Sequence, residues 1–373
     1  MAKTKIGFIV NPIAGMGGRV GLKGTDGEAY KKALELGAKP IAPLRAKRFL
    51  REYKRLDLTA HIELYVAPHP MGAGVVEEEN IPYRLTGELK SLETSPEDTK
   101  RIAELMVNRG VKLLVFVGGD GTARDITEAI DKRIPILGVP SGVKMYSPLF
   151  AITPEAAAKI LEHFIRGDYN VEEVEVLDID EEAFRRDQLK IRLYGTALTI
   201  KVPELLQPGK EPTPSSTSIR ENQEAIARYI VENMEPDTLY ILGPGTTIKA
   251  IADILGVEKT ILGVDAIYNG RLIGKDLNEK QLLELIEKYK RVKIILTPIG
   301  GQGFLLGRGN QQISPQILKR IGRENLIVVA THDKISKIRK LRVDTGDPEL
   351  DEELKGYIRV IVDYNEEVVL RIE

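Results

Sequence analysis

One acidic residue lies among glycines where a buried strand is predicted to end and a helix to begin. The segment consists of Gly118-Gly119-Asp120-Gly121-Thr122, directly after the apolar run 112–117. Glycine lets backbone amides approach an anion closely, and a helix N-terminus adds partial positive charge, so the loop suits a phosphate group. A carboxylate there repels phosphate unless it binds a divalent metal or accepts a proton from an attacking hydroxyl, as phosphoryl transfer requires. The alternative is that Gly-Asp-Gly forms an ordinary turn.

A second glycine turn repeats the order of strand, turn, hydroxyl and helix. It consists of Gly243-Pro244-Gly245-Thr246-Thr247, between a predicted strand at 237–242 and a predicted helix at 248–255. Two interpretations stay open from the sequence. Either the turn binds a second phosphate, or Thr246 or Thr247 caps the helix without any ligand.

The loop 11–27 is rich in glycine and carries two cations. These residues are Gly15, Gly17, Gly18, Gly21, Gly24, Gly27, Arg19 and Lys23. We expect a mobile lid that closes over phosphates, with a flexible linker as the alternative. Val20 stands where a dinucleotide-binding fingerprint beginning at Gly15 needs glycine, so that fingerprint is not met.

Two other stretches offer groups that suit a nucleotide. The segment 297–312 combines glycines with amide side chains and a guanidinium, and Arg308 is suited to a bidentate phosphate contact. The alternative there is a solvated surface loop. Lys144, just after Gly142, either reaches a phosphate or is an ordinary surface charge.

Composition excludes several classes of function. The 373 residues include 54 Lys plus Arg against 55 Asp plus Glu, a net charge of −1, so no global field attracts nucleic acid. The absence of cysteine excludes a disulfide scaffold, a thiolate zinc site and a Cys nucleophile. The histidines lack metal-ligand spacing, so we expect them to be structural or exposed and predict no zinc site. They are His61, His69, His163 and His332.

The apolar segments have the lengths of strands and not of membrane spans. None approaches the ~18 to 20 residues needed to cross a bilayer, and the first apolar run is too short for a signal peptide. We therefore expect a cytoplasmic protein with small-molecule partners, no membrane span and no nucleic acid partner.

Alternating strand and helix patterns predict an α/β fold. Residues 1–150 are predicted to form a doubly wound parallel-sheet domain that binds nucleotide, 151–218 a β-rich segment with a hinge, and 219–373 a second α/β unit ending in a hairpin about Asn365. Predicted elements include helices over 97–109, 123–130 and 279–289. Predicted strands include 134–139, 171–179, 190–202, 261–264, 292–296 and 326–330.

Three segments of the first domain together resemble a known family. The Gly118 to Thr122 motif resembles the GGDGT signature shared by NAD kinases and diacylglycerol kinases. Ile9-Val10-Asn11-Pro12-Ile13-Ala14-Gly15 is similar to the superfamily's first strand and loop, and Ile136-Leu137-Gly138-Val139-Pro140-Ser141-Gly142 is similar to its third phosphate-side loop. The whole resembles the ATP-NAD kinase family, AcoX-like branch, specifically over 5–150 and more loosely beyond.

The resemblance implies a reaction and roles for residues. The reaction is transfer of the γ-phosphoryl group of ATP to the 2′-hydroxyl of the adenosine ribose of NAD, with Mg²⁺. Asp120 is implied to be the catalytic acid or base, or the carboxylate linked to the metal. Nucleotide contacts are predicted for Asn11, Gly15, Gly17, Gly18, Gly118, Gly119, Gly121, Thr122, Ser141, Gly142, Lys144, Gly243, Gly245, Thr246, Thr247 and Arg308.

One departure from the family pattern bears on the acceptor. Ordinary NAD kinases carry an Asn-Glu or Asn-Asp pair that holds the dinucleotide ribose, and no such pair stands in the expected stretch after Gly142. Pro140-Ser141-Gly142 is closer to the proline-x-glycine of the lipid kinases. The alternatives are a kinase for another hydroxyl compound, such as a lipid or polyol, or a non-catalytic protein that binds nucleotides or sugar phosphates. A homo-oligomer is an expectation of the resemblance.

Overall fold

The computed structural model describes residues 3–22, 28–89, 91, 93–142, 145–179, 191–202, 205–206, 217–338 and 340–373. The chain forms two compact units. The first contains Met1–Met16 and Gly24–Gly209, and the second contains Gly17–Lys23 and Lys210–Glu373. The glycine-rich loop near the N-terminus is therefore divided between the two units.

The first unit alternates strands and helices. Its strands are β1 (Thr4–Val10), β2 (Ile62–Val66), β3 (Arg84–Leu85), β4 (Leu113–Gly118), β5 (Ile136–Pro140), β6 (Asn170–Ile179) and β7 (Ile191–Lys201). Its helices are α1 (Glu28–Glu35), α2 (Ala42–Arg55), α3 (Ala73–Glu78), α4 (Pro96–Asn108), α5 (Asp120–Ile130) and α6 (Pro154–Arg166), with a 3₁₀ turn at Leu58–Ala60.

The first five strands form a parallel sheet in the order β3-β2-β1-β4-β5. After β1 the chain continues to β2 on one side, and after β4 it continues to β5 on the other. The carboxyl ends of β1 and β4 therefore flank a topological switch point, where open α/β sheets bind ligands. The predicted doubly wound parallel sheet is confirmed.

Alternate residues of the central strands pack on opposite faces of this sheet. Phe8 of β1 stacks on Phe49 of α2 with ring centroids 5.6 Å apart, whereas Ile9 packs on the opposite side with Ile102 of α4 and Ile126 of α5. Burial on both faces explains why the strands read as nearly continuous apolar runs.

Helix α5 begins at Asp120, three residues before Ala123, where the sequence predicted its start. Gly119 occupies the N-cap in an extended conformation, so Asp120 is the first helical residue. The predicted start was too late because the glycines obscured the helical pattern. As a result, Asp120, Gly121 and Thr122 form the first turn of a helix.

The second unit begins with α7 (Thr217–Glu232). Its strands are β8 (Leu239–Leu242), β9 (Asp265–Tyr268), β10 (Arg271–Gly274), β11 (Val292–Leu296), β12 (Phe304–Leu306), β13 (Leu326–Val329), β14 (Arg342–Val343), β15 (Gly356–Asp363) and β16 (Glu366–Ile372). Its other helices are α8 (Thr246–Ile254), α9 (Glu279–Lys288), α10 (Pro315–Ile321), α11 (His332–Lys337) and α12 (Pro348–Glu353), with a 3₁₀ turn at Arg323–Asn325.

Seven of these strands form a mixed sheet in the order β10-β9-β8-β11-β13-β15-β16, parallel from β8 through β15. The predicted closing hairpin is confirmed, and Asn365 in its turn has a φ of 54°.

The strand predicted over 261–264 was wrong. Those residues lie between Lys259 and Asp265, whose side chains form a fully buried ion pair with N and O 3.2 Å apart.

None of the helices in the described ranges has the length and apolar character that a membrane span requires.

A glycine in β5 offers a test of the packing in the first unit. A Cβ added at Gly138 would lie 2.3 Å from the ring of Phe150, which is fully buried, so Gly138→Ala forces the core apart. We expect a loss of about 1–3 kcal/mol in the free energy of unfolding, measured by urea titration. The matched control is Gly195→Ala in β7, where a Cβ meets nothing within 4 Å. Equal stability of the two variants would contradict the described packing.

Candidate functional site

Three loops of the first unit meet at the carboxyl edge of its parallel sheet. The amide of Asn11, after β1, donates to the carbonyl of Val117 at 2.9 Å, and the amide of Ser141, after β5, donates to the carbonyl of Gly118 at 3.0 Å. The loops therefore follow three neighbouring strands, β1, β4 and β5. The three segments that carry the family resemblance are brought together by the sheet.

Asn11 bridges the switch point. Its Nδ2 donates to Thr122 Oγ1 at 2.9 Å, and its Oδ1 accepts from the amide of Ile13 at 3.3 Å. The side chain thus joins the loop after β1 to the first turn of α5 and fixes the Thr122 hydroxyl. Gly118 must be glycine, because a Cβ there would lie 2.6 Å from the Thr122 side chain.

Glycines allow the loops to lie against one another. Gly15 has a φ of 79°, and a Cβ there would lie 1.9 Å from the carbonyl oxygen of Ser141. Gly119 lies next to Gly142, with 3.4 Å between its ideal Cβ and the Gly142 Cα, which is an ordinary van der Waals contact. The hydroxyl of Ser141 is buried and has no hydrogen-bond partner within the part of the chain that the structure describes. A buried hydroxyl without a protein partner at a loop edge can serve a ligand oxygen.

Asp120 points into the protein and is 4% exposed. Its Oδ2 accepts from the amide of Tyr146 at 2.6 Å, and its Oδ1 accepts from the amide and hydroxyl of Ser147 at 3.0 and 2.6 Å. Desolvation raises the pKa of the Asp120 carboxyl to about 7, the three donors oppose the rise, and the charge of Asp178 adds to it. A carboxyl with this pKa changes its protonation near neutral pH, as a general base must.

Ser147 anchors the carboxylate to a neighbouring strand. Its hydroxyl accepts from the amide of Leu177 in β6 at 3.0 Å while it contacts Asp120. Sequence reasoning missed Tyr146 and Ser147. The available signal was that a carboxylate predicted in a buried loop needs donors, and these polar residues follow the third loop directly.

The groups around Asp120 do not match the ligands that a magnesium ion requires. Mg²⁺ is held by oxygen ligands in octahedral geometry, whereas the neighbours described for this carboxylate are two amides and a hydroxyl that donate to it. The nearby Asp178 is paired with Arg124 at 2.8 Å. This donor set does not fit an ion coordinated by Asp120.

The other predicted site residues are distributed differently. Gly17 and Gly18 belong to the second unit, where a Cβ at Gly18 would lie 3.1 Å from the Gln311 side chain. Arg308 is buried in that unit, with Nη2 3.0 Å from Asp344 Oδ2 and its guanidinium 4.8 Å from the Phe304 ring. Lys144 lies outside the described residues.

The second glycine turn lies at the switch point of the second sheet, between the carboxyl ends of β8 and β11. Gly245 is the N-cap of α8 with a φ of 124°, so the idea that Thr246 or Thr247 caps the helix was wrong. Thr246 Oγ1 instead accepts from Gln223 at 3.0 Å. Thr297, which follows β11, packs against Gly245, and within the described chain its buried hydroxyl has no hydrogen-bond partner.

Comparison with known proteins gives two family matches. The profile of the ATP-NAD kinase N-terminal domain matches residues 6–169, and that of the ATP-NAD kinase C-terminal domain matches residues 235–372. Similar relatives include an NAD kinase of Thermococcus kodakarensis, 32% identical over 102 residues, and an NAD kinase of Mycolicibacterium paratuberculosis, 38% identical over 78 residues. These alignments cover 27% and 21% of this chain, and 32% and 25% of the relatives' lengths.

The raised pKa of Asp120 predicts a pH dependence of stability. The carboxyl has a pKa of about 7 in the folded chain against an ordinary value of 3.8. Between these values the native state binds more protons than the unfolded state, so the free energy of unfolding falls as pH rises and levels off above about pH 7. Urea titrations between pH 4.5 and 8 should show a smaller decline for Asp120→Asn than for the wild type. The comparison uses the change in the free energy of unfolding with pH, so it holds even if the variant is less stable at every pH.

The matched control is Asp131→Asn at the other end of α5, where the residue has a φ of 42° that asparagine also adopts. The control should keep the wild-type decline. Parallel curves for all three proteins would exclude Asp120 as the group that titrates.

Proposed function

Because this chain carries both the N-terminal and the C-terminal domain of the ATP-NAD kinase family, we propose that it transfers the γ-phosphoryl group of ATP to the 2′-hydroxyl of the adenosine ribose of NAD, which forms NADP. The observation that carries the proposal is the buried carboxylate of Asp120 at the switch point of the first sheet, next to loops built for close backbone approach. The strand order is that of an open α/β sheet, which binds ligands at the switch point.

The ATP phosphates are assigned to the carboxyl edge of the first sheet. Backbone amides at the start of α5 have no intrahelical partners, and they favour an anion. The Ser141 hydroxyl adds a donor that is buried and unpartnered in the described chain. The contact residues in this unit are Asn11, Gly15, Gly118, Gly119, Gly121, Thr122, Ser141 and Gly142.

Asp120 is assigned the role of general base. About four lone-pair positions exist on a carboxylate, and three are used by Tyr146 and Ser147. The remaining position on Oδ2 accepts the hydroxyl proton while the ribose oxygen bonds to the γ-phosphorus, the bond to the β–γ bridging oxygen breaks, and ADP leaves. Mg²⁺ that enters with ATP as part of the substrate would neutralise phosphate charge.

The turn at the start of α8 is assigned a phosphate of a nucleotide substrate. Gly243, Gly245, Thr246 and Thr247 supply the helix N-terminus, which has no side-chain cap. The hydroxyl of Thr297, 3% exposed and without a partner in the described part of the chain, supports the assignment because burying such a group without a ligand is costly. Gly17, Gly18, Lys144 and Arg308 are further proposed contacts. Membership of the AcoX-like branch, a cytoplasmic location and a homo-oligomer also belong to this proposal.

The direct test is incubation with ATP, Mg²⁺ and a panel of NAD, NADH, glycerol and diacylglycerol. Formation of NADP, detected with an NADP-specific dehydrogenase, is the expected result. Phosphorylation of glycerol or diacylglycerol alone would make the protein a kinase for another hydroxyl compound. Nucleotide binding by calorimetry without phosphorylation of any acceptor would make it a binding protein.

Loss of the Asp120 carboxylate tests the general base. Asp120→Asn should lower kcat by roughly 10²- to 10⁴-fold, and kcat/KM of the wild type should fall below about pH 7 as the base becomes protonated. The amide loses one acceptor toward Tyr146, so circular dichroism must first show a folded variant. Asp131→Asn is the control. Full activity of folded Asp120→Asn would remove this residue from the mechanism.

Thr297→Val tests the second phosphate contact. The substitution keeps the side-chain shape and removes a buried hydroxyl without a partner among the described residues. The free energy of unfolding should stay within about 0.5 kcal/mol of the wild type or rise, because no hydrogen bond is lost in the unliganded chain. KM for one nucleotide should rise, with kcat nearly unchanged. An unchanged KM for both nucleotides would leave the turn without a role in binding.

A further inference from the structure

One imidazole and two carboxylates converge on the surface of the second unit. The ligand atoms offered by His332, Asp363 and Glu366 all lie within 4.8 Å of one another. His332 Nε2 is 3.6 Å from Asp363 Oδ2 and 3.5 Å from Glu366 Oε2. None of these side chains belongs to the site proposed for phosphoryl transfer.

The sheet brings these residues together from distant parts of the sequence. Strands β13 and β15 are parallel neighbours, with Val329 opposite Ile361, so His332 and Asp363 leave the same edge of the sheet. Asp363 and Glu366 are directly paired across the β15–β16 hairpin. Residues paired in this way project their side chains to one face. The sequence expectation that no histidine joins a metal site rested on local spacing, which this arrangement does not need.

A neighbouring amide holds two of the three groups in place. Asn222 of α7 accepts from the amide of His332 through Oδ1 at 3.0 Å and donates from Nδ2 to Asp363 Oδ2 at 2.8 Å. The same Nδ2 lies 2.8 Å from the carbonyl of Val362. Such outer contacts orient the ligands of metal ions in proteins.

The spacing of the donor atoms fits a cation better than direct hydrogen bonds. Hydrogen bonds between nitrogen and oxygen are about 2.7–3.2 Å long, shorter than both distances from His332 Nε2. Ligands about 2.0–2.2 Å from a tetrahedral ion lie about 3.4 Å from one another. Both distances from His332 Nε2 are therefore close to the separation expected between two ligands of one ion.

We propose that His332, Asp363 and Glu366 bind a divalent transition metal of the zinc class. Imidazole with carboxylates suits such ions, whereas Mg²⁺ prefers oxygen ligands alone. The side chains are 51%, 34% and 56% exposed, so water completes the coordination. The ion links the start of α11 to the β15–β16 hairpin and stabilises the second unit by binding only its folded state.

The test uses full-length protein without an affinity tag, treated with a chelator and then freed of it. Titration with Zn²⁺ by calorimetry should give one site per chain, and Co²⁺ should give a visible absorption band. His332→Ala should weaken binding at least tenfold, and Asn222→Ala by about 10- to 100-fold at unchanged stoichiometry. His61→Ala, an exposed histidine in the first unit, is the matched control. Circular dichroism without metal verifies that each variant folds.

Two results would overturn the proposal. One is the absence of Zn²⁺ binding to the wild type, which would leave His332 in an ordinary surface ion pair. The other is equal binding by His332→Ala and His61→Ala, which would place the ion elsewhere. Millimolar Mg²⁺ should not displace Co²⁺, and displacement would likewise contradict a site selective for the zinc class. These readouts do not depend on phosphorylation of NAD.

Discussion

The burial of the Asp120 carboxylate is the constraint around which the first unit is arranged. A charged group taken out of water is costly unless donors surround it, and Tyr146 and Ser147 supply them from a different loop. Ser147 is itself tied to β6 through Leu177. The carboxylate, the loop after β5 and strand β6 thus depend on one another. Desolvation of the same group sets its pKa near neutrality.

Both units place their glycine turns at the point where strand order reverses. In the first unit the turn follows β4 beside β1, and in the second it follows β8 beside β11. Neighbouring helices diverge at such a point and leave a crevice above the carboxyl ends of the strands. Each crevice is bordered by a buried hydroxyl without a partner in the described residues, Ser141 in one unit and Thr297 in the other. Each of these two hydroxyls can therefore serve a ligand oxygen.

In the second unit, buried charged residues are paired with one another, unlike Asp120, whose partners are amides and a hydroxyl. Lys259 with Asp265, and Arg308 with Asp344, are buried pairs within the second unit. The first pair holds an irregular segment where apolar residues alone favoured a strand. The second ties the segment after β12 to the residue after β14, so a protein carboxylate holds the Arg308 guanidinium that the sequence assigned to a phosphate.

The sequence by itself determined the α/β class, the parallel sheet of the first unit, the closing hairpin and the glycine motif with its carboxylate. These depend on local periodicity and on residues adjacent in the chain. Only the tertiary structure decided which donors surround Asp120, that Gly245 and not a threonine caps α8, and that His332 lies beside Asp363 and Glu366. The contacts of Asp120 and of His332 join residues tens of positions apart, and their geometry follows from strand order and register, which apolar periodicity does not encode. The cap of α8 depends on the backbone conformation of Gly245, which the residue types of the turn left open.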